Sequence, residues 1–182
     1  MTLRIIILRH GVAESRKLFA HSGKPDALRP LTPRGRKKMR RNIKGLLALS
    51  SEIDVVVSSP CVRAKQTADL LREKLPHAKL VELPALEPNR EAIRVLDWLK
   101  SERFSRSSDQ SKTVCLVGHE PGLSDLASEC LVGSKSSAFS LKKGGACIIE
   151  FSSEPRKGKA KLICLIQPSE LRRIGETGKS PT

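Results

Sequence analysis

Aromatic side chains are scarce in this sequence. They make up 3% of its 182 residues, with one tryptophan and no tyrosine. Proteins that hold single-stranded nucleic acid stack its bases on aromatic side chains interleaved with basic ones, and no such interleaving is visible here. Nucleic acid is therefore not an expected partner. A catalytically idle, basic nucleic-acid-binding adaptor stays only as an alternative from a different class of function.

Clustered cysteines are also absent. The chain has five scattered cysteines, with no CxxC pair and no Cys/His group of metal-binding spacing: Cys61, Cys115, Cys130, Cys147 and Cys164. An odd and dispersed set indicates reduced, buried thiols. We expect no disulfide framework, no metal site and no cofactor.

Long apolar runs are lacking as well. No stretch approaches the roughly 18 apolar residues of a transmembrane helix, and the short run "LRIIIL" does not suit the core of a signal peptide. These features predict a cytoplasmic protein without a membrane partner.

Acidic residues are few relative to basic ones. There are 34 Lys and Arg against 19 Asp and Glu, which gives a formal charge of +15. Seven of the cations fall in one short segment: Arg34, Arg36, Lys37, Lys38, Arg40, Arg41 and Lys44. Such a balance favours anionic partners, although a solvated helix face is the simpler explanation of the segment.

Short aliphatic runs separated by helical patterns predict the fold class. The runs at 3–8, 53–59, 78–83 and 113–118 indicate strands, most of them buried on both faces. Two further strands, "GACIIEF" and "KAKLICLI", are joined by a polar segment that indicates a hairpin. We therefore expect an α/β fold, a three-layer α/β/α sandwich with a mostly parallel central sheet and a C-terminal antiparallel hairpin.

Helix-start signals fill the intervals between these strands. Thr32 followed by Pro33 predicts an N-cap and a helix to about residue 49, and Ser59 followed by Pro60 predicts another to about 75. Further helices are expected at about 91–100 and 121–131, with loops at 11–31 and 101–112. Residues 1–168 should form a single catalytic domain, and 169–182 a basic C-terminal tail that starts with a short helix.

Unusual polar residues follow three of the predicted strands. Arg9, His10 and Gly11 follow the first strand, Arg63 lies shortly after the second, and His119 follows the fourth. Because ligands of open α/β sheets bind beyond the carboxyl ends of the strands, these side chains should meet at one site.

That combination of side chains suits phosphoryl transfer. Arginine matches phosphate oxygens in a bidentate fork and stabilises the charge of a metaphosphate-like transition state. A neutral imidazole can attack phosphorus and carry the group as phosphohistidine. Nearby arginines keep such an imidazole unprotonated.

Four blocks of the sequence resemble the histidine phosphatase superfamily, also called the phosphoglycerate mutase-like fold. "LRHG" resembles its signature triplet, and "VGHEPGLS" its second-histidine block. "SSPCVRAKQT" is similar to its S-P-x-x-R-A-x-Q-T block, and "LRPLTPRG" to an R-P-L-T-x-x-G element of the SixA-type phosphohistidine phosphatases. The sequence lacks the asparagine-rich segment of the mutases and the R-H-G-x-R-x-P pattern of the phytase-like branch, which argues against both.

The resemblance implies a role for each matching residue. His10 would be the phosphorylated nucleophile, with Arg9, Arg63 and His119 completing the phosphate pocket. Arg29 would be a further phosphate-binding residue, although a loop salt bridge to Asp26 would explain it equally well.

Three carboxylic acids are candidates for the proton donor. Relatives in the superfamily place such an acid after the third strand, beside the second histidine, or before the R-P-L-T element. The corresponding residues are Glu87, Glu120 and Asp26, and we favour Asp26.

The function expected from the resemblance is that of a metal-independent phosphatase with a covalent phosphohistidine intermediate. The leading hypothesis is removal of phosphate from phosphohistidine in proteins of a signalling phosphorelay, since a short chain has no room for a capping insertion. The alternative is a phosphomonoesterase for small phosphorylated metabolites or for phospho-Ser/Thr/Tyr proteins. In either case the partner is a phosphorylated protein or small phosphorylated substrate, and a monomer is favoured.

Overall fold

Strands and helices alternate along the chain in the computed structural model, which describes residues 2–102, 111–136 and 139–177. The strands are β1 (Leu3–Arg9), β2 (Val55–Ser58), β3 (Lys79–Glu82), β4 (Lys112–Gly118), β5 (Ala146–Phe151) and β6 (Lys161–Ile166). The helices are α1 (Arg16–Ala20), α2 (Pro33–Leu49), α3 (Val62–Arg72), α4 (Ile93–Ser101), α5 (Gly122–Val132) and α6 (Pro168–Thr177). Most of the loop expected at 101–112 lies outside the described residues.

The six strands form one mixed sheet in the order β3-β2-β4-β1-β5-β6. β3, β2, β4 and β1 run parallel to one another. β5 and β6 pair antiparallel at one edge. The predicted fold class, with its mostly parallel sheet and C-terminal hairpin, is confirmed.

Helices cover both faces of the sheet, and β1 shows why its sequence does not alternate. Ile5 and Ile7 lie in the core formed with α4 and α5. Ile6 and Leu8 lie in the core formed with α2, α3 and α6. All four side chains are at most 1% exposed, and burying each one contributes about 1.5–3 kcal/mol.

One of the two predicted helix starts is confirmed and the other is wrong. The Thr32 hydroxyl accepts a hydrogen bond from the Gly35 amide at 2.9 Å and caps α2, as expected. The next helix begins at Val62 with Cys61 as its N-cap residue and without a side-chain cap. The reason is that the amide of Ser59 still donates to the carbonyl of Val117 in β4, so the chain remains in the sheet there.

Two segments near the chain ends contain helical structure with only weak signals in the sequence. The loop expected at 11–31 contains α1 and a 3-10 turn at Asp26–Leu28. The short helix expected after residue 168 is α6, which lies directly on α2. A Cβ atom added to Gly45 of α2 would stand only 1.8 Å from the carbonyl oxygen of Leu171. The division into a domain at 1–168 and a tail at 169–182 stays a prediction.

Candidate active site

The ends of three neighbouring strands define the site. Arg9 of β1 lies opposite Gly118 of β4, and Ser58 of β2 lies opposite Val117. The residues that follow, His10, Ser59 and His119, therefore emerge side by side at one edge of the sheet.

His10 is held with one ring nitrogen committed and the other free. Its Nδ1 lies 2.7 Å from the carbonyl oxygen of Gly11. Because a carbonyl can only accept a hydrogen bond, Nδ1 must carry the proton in this arrangement. In the neutral ring Nε2 then keeps its lone pair, which is the form a nucleophile requires.

Burial and neighbouring charge keep both histidine rings neutral. Burial lowers the pKa of His10 to about 3, with His119, Arg63 and Arg9 acting in the same direction against the Gly11 hydrogen bond. The pKa of His119 is also lowered to about 3 by burial and by Arg63 and Arg9. The ring centroids lie 4.9 Å apart. Nε2 of His119 is 2.9 Å from the hydroxyl of Ser59.

Two arginines flank the histidines and are fixed by backbone carbonyls. Arg63 is 2% exposed and donates to the carbonyl of Asp26 at 2.9 Å. Arg9 donates to the carbonyl of Leu141 at 2.5 Å. Burial lowers the pKa of both guanidinium groups, but arginine stays charged at any working pH. The pair therefore presents fixed positive charge beside the imidazoles.

These side chains line one cavity of about 410 Å³. All five of the predicted nucleophile and phosphate-binding residues are brought together there: Arg9, His10, Arg29, Arg63 and His119. The other lining residues are Ala13, Glu14, Ser15, Arg16, Pro88, Glu120 and Lys143.

Arg29 both forms the salt bridge to Asp26 and lines the cavity. Its Nε donates to the Asp26 carboxylate at 2.8 Å, and its terminal nitrogen donates to the carbonyl of Glu14 at 2.8 Å. The side chain is 7% exposed and lines the cavity at the same time. The salt bridge therefore orients an arginine that can also meet a phosphate oxygen.

Asp26 lies outside the cavity lining and holds several arginines. Its carboxylate is 3.2 Å from Arg63 and 3.4 Å from Arg16, in addition to its bond with Arg29. Partial burial raises its pKa, but the Arg29 hydrogen bond and the charges of Arg63, Arg29 and Arg16 outweigh this, and the pKa lies below its usual value. Such surroundings favour the carboxylate over the proton-bearing acid.

The other two candidate acids differ in position. Glu120 lines the cavity, with its carboxylate accepting from the Leu141 amide at 2.8 Å and from the Ser124 hydroxyl at 2.5 Å. Glu87 pairs with Arg90 at 3.2 Å and is not among the lining residues. Of the three acids, only Glu120 borders the space that a substrate would enter.

Sequence reasoning missed two contributors to the site. The Thr67 hydroxyl accepts a hydrogen bond from the Gly11 amide at 3.1 Å and donates one to the Arg63 carbonyl at 2.8 Å. These bonds connect the "LRHG" segment to the "SSPCVRAKQT" segment. Lys143 lines the cavity from the turn before β5, where burial and the nearby arginines lower its pKa. The signal for Lys143 was present as two lysines before paired glycines in "LKKGGA".

Within the described ranges, no group of three or more His, Cys, Asp and Glu residues is placed to hold a metal ion. In the same part of the chain, no helix has the length and apolar content needed to cross a bilayer.

The chain is similar to known proteins, both in a family profile and in individual protein sequences. The sequence profile described as "Histidine phosphatase superfamily (branch 1)" matches residues 5–92. An uncharacterized protein of Picosynechococcus sp. is 31% identical over 145 residues, which is 79% of this chain and 82% of that protein. The mitochondrial serine/threonine-protein phosphatase Pgam5 of Drosophila ananassae is 35% identical over 75 residues, or 41% of this chain and 24% of that protein.

The fold is similar to that of a solved structure of the protein histidine phosphatase SixA complexed with tungstate. The TM-score is 0.73 at 22% identity, with 92% of this chain and 99% of the other covered. The family match agrees with the geometry at the strand ends. The chain belongs to the histidine phosphatase superfamily (branch 1), and it is a phosphatase of that superfamily.

Proposed function

We propose that the chain removes phosphate from phosphohistidine in proteins, by way of a phosphorylated His10 and without a metal ion. The observation that carries this proposal is the neutral His10 ring beside the arginines of one cavity, with Nε2 unprotonated. A nucleophile and the cations that neutralise a phosphoryl group are thereby present together.

The first step transfers the phosphoryl group to the enzyme. The lone pair on Nε2 of His10 forms a bond to phosphorus while the bond from phosphorus to the substrate imidazole breaks. The departing nitrogen keeps the electron pair and takes up a proton from solvent. Arg9, Arg63 and Arg29 stabilise the charge on the equatorial oxygens, as preorganised donors do.

The second step regenerates the enzyme. Water attacks phosphorus and forms a P–O bond as the P–Nε2 bond of phosphorylated His10 breaks. The products are inorganic phosphate and the neutral imidazole, and one proton of the water molecule leaves with phosphate or solvent. The Nδ1–H bond to the Gly11 carbonyl holds the ring in place through both steps.

The demand for a proton donor depends on the substrate. A phosphorylated imidazole is a good leaving group and needs little acid assistance, whereas an alkyl phosphate gains about 10²–10⁴-fold from a general acid. We keep Asp26 as the acid expected from the sequence, but its arginine contacts favour a positioning role. The place of Glu120 on the cavity wall makes it the better candidate for ester substrates.

A phosphomonoesterase remains the second candidate function. The observation in its favour is the short match to a protein that is described as a serine/threonine-protein phosphatase, together with Glu120 at the cavity. A signalling role, a cytoplasmic location and a monomeric state stay predictions under either function.

A substrate panel and one variant test the proposal. The purified protein is incubated with a phosphohistidine protein and with phosphoserine, phosphothreonine, phosphotyrosine and sugar phosphates, and kcat/KM is compared. We expect the phosphohistidine protein to be the best substrate. His10→Ala should abolish turnover and the acid-labile label found in enzyme quenched with labelled substrate, and retention of both would refute the nucleophile assignment.

A further inference from the structure

Five cations form a surface beside the cavity that the proposed chemistry does not use. We name this surface the basic rim: Arg34, Lys37, Lys38, Lys142 and Lys143. In the part of the chain that the structure describes, none of the five side chains makes an ion pair or a hydrogen bond. By contrast, the next two arginines of α2 are paired, Arg40 with Glu73 and Arg41 with Glu176.

The basic rim adjoins the catalytic cavity. Lys143 lines that cavity, and together with Lys38 it also lines a smaller one of about 150 Å³ that includes Gly11. The first turn of α2 lies directly on the loop after His10, because a Cβ atom on Gly35 would stand 2.0 Å from the Val12 carbonyl oxygen. Positive charge therefore continues outward from the phosphate site along α2.

The cations of α2 lower the stability of that helix. Cations near a helix N-terminus interact unfavourably with the helix macrodipole, and the first turn of α2 contains no acidic residue. Like charges at i,i+4 add further repulsion, and α2 has four such pairs: Arg34–Lys38, Arg36–Arg40, Lys37–Arg41 and Arg40–Lys44. Helix stability does not explain these residues, so an anion bound outside the helix is the better explanation.

The size and composition of the surface indicate what that anion is. On α2 the basic rim runs from Arg34 to Lys38, about 6 Å at 1.5 Å per helical residue, and Lys142 and Lys143 extend it onto the turn before β5, so its cations lie on two separate segments of the chain. The five cations are interleaved with no aromatic side chain on which bases could stack. A folded protein with carboxylates around its phosphorylated residue fits both features.

We infer that the basic rim docks an acidic protein surface and thereby selects a phosphoprotein whose phosphorylated side chain is surrounded by carboxylates. This inference rests on the proposed function, since the docked protein must present its phosphoryl group to His10. Charged groups at the edge of an interface mainly raise the association rate and select the partner. The rim therefore contributes to kcat/KM for the protein substrate and not to the chemistry.

A charge-reversal variant tests this inference without touching the cavity. Arg34→Glu/Lys37→Glu replaces two exposed cations of α2, and the new carboxylates pair favourably with Lys38 and Arg41 at i,i+4. The variant should therefore fold at least as stably as the wild type. The matched control is Lys79→Glu/Lys159→Glu, which makes the same change of charge at two exposed lysines at the opposite end of the sheet. Neither lysine makes an ion pair with another described residue.

Two substrates separate docking from chemistry. The first is a histidine phosphotransfer domain of net negative charge, phosphorylated on its histidine, and the second is N-phosphoimidazole. For Arg34→Glu/Lys37→Glu we expect kcat/KM to fall by about tenfold or more with the protein substrate at low salt. With N-phosphoimidazole it should stay within about twofold, since docking is not involved. The difference should shrink as added salt shortens the Debye length, and the control variant should match the wild type on both substrates.

The outcomes distinguish this inference from the proposed function. A wild-type enzyme inactive on both substrates would contradict the proposed function itself. Activity on both with no effect of Arg34→Glu/Lys37→Glu on the protein substrate would overturn the docking inference alone. So would retention of duplex DNA in a gel shift at moderate salt by the wild type and its loss in the variant, because the rim would then serve nucleic acid.

Discussion

Asn42 connects the C-terminal helix to the backbone of the nucleophile. This buried residue of α2 donates to the Gly144 carbonyl at 3.0 Å and accepts from Arg172 of α6 at 3.0 Å. The Gly144 amide in turn donates to the carbonyls of Arg9 and His10 at 3.0 and 3.1 Å. We predict that Asn42→Asp lowers kcat while KM and the fold are largely kept.

The magnitude follows from the contacts. The aspartate keeps the Arg172 interaction and makes it charge-assisted, but it loses the donor that Gly144 needs and places a negative oxygen against a carbonyl. An unsatisfied buried carbonyl costs about 1–3 kcal/mol, and a shift of the turn displaces the Gly144 amide that donates to the carbonyls of Arg9 and His10. Because a misplacement of about 1 Å can cost about 10²-fold in rate, we expect kcat to fall by about ten- to hundredfold.

Steady-state kinetics on N-phosphoimidazole and thermal unfolding together check this prediction. The control is Arg173→Ala, at an exposed position of α6 next to Arg172, and this variant should leave kcat unchanged. Asn42→Ala removes both bonds and should lower the unfolding temperature more than Asn42→Asp does. A variant Asn42→Asp with wild-type kcat and a normal unfolding temperature would refute the claim that this residue positions the nucleophile.

Three further predictions follow from the site. Arg63→Ala should lower kcat by about 10²–10³-fold, as loss of one preorganised donor does, and a fall below tenfold in steady-state assays would mean that Arg63 does not meet the phosphate. Glu120→Gln should slow alkyl phosphate hydrolysis more than phosphohistidine hydrolysis. Asp26→Asn should mainly raise KM, because the arginines that contact Asp26 would no longer be held in place. Equal effects of both variants on every substrate would contradict these roles. Since the pKa of His10 and of His119 is lowered to about 3, their stabilising contribution is complete above the unfolded value of about 6.5 and is lost as the pH falls toward 3. In chemical denaturation, the free energy of unfolding should therefore decrease as the pH falls from 7 to 4, and it should decrease less in His10→Ala. An equal decrease in the wild type and in His10→Ala would contradict the lowered pKa of His10.

Local signals in the sequence were enough for the central elements. The run Ile5–Leu8 is aliphatic because both faces of β1 are buried, and Thr32 with Pro33 marks the start of α2 with a cap and a fixed φ angle. The alternation of such segments defines the sheet, and the ends of its parallel strands place His10 and His119 together. These inferences succeed because each depends on neighbours close in sequence or on a general rule of α/β topology.

The contacts that sequence reasoning missed are made between residues far apart in the chain. Ser59 resembles a helix cap, but its amide pairs with Val117 and its hydroxyl meets His119. Helix α1 buries no residue, so it has no apolar periodicity to detect. Lys143 and Gly144 reach the site only because β5 pairs beside β1, and no local pattern specifies that pairing.

The position of β1 inside the sheet has a consequence for how the enzyme loses activity. This strand has a hydrogen-bonded neighbour on each side and an apolar core above and below. Segments with such surroundings open only when the whole domain unfolds. His10 thus directly follows a strand that opens only when the whole domain unfolds. Amide hydrogen exchange of Ile6 and Ile7 should therefore be as slow as global unfolding. Heating or denaturant should consequently release β1 only together with the rest of the fold.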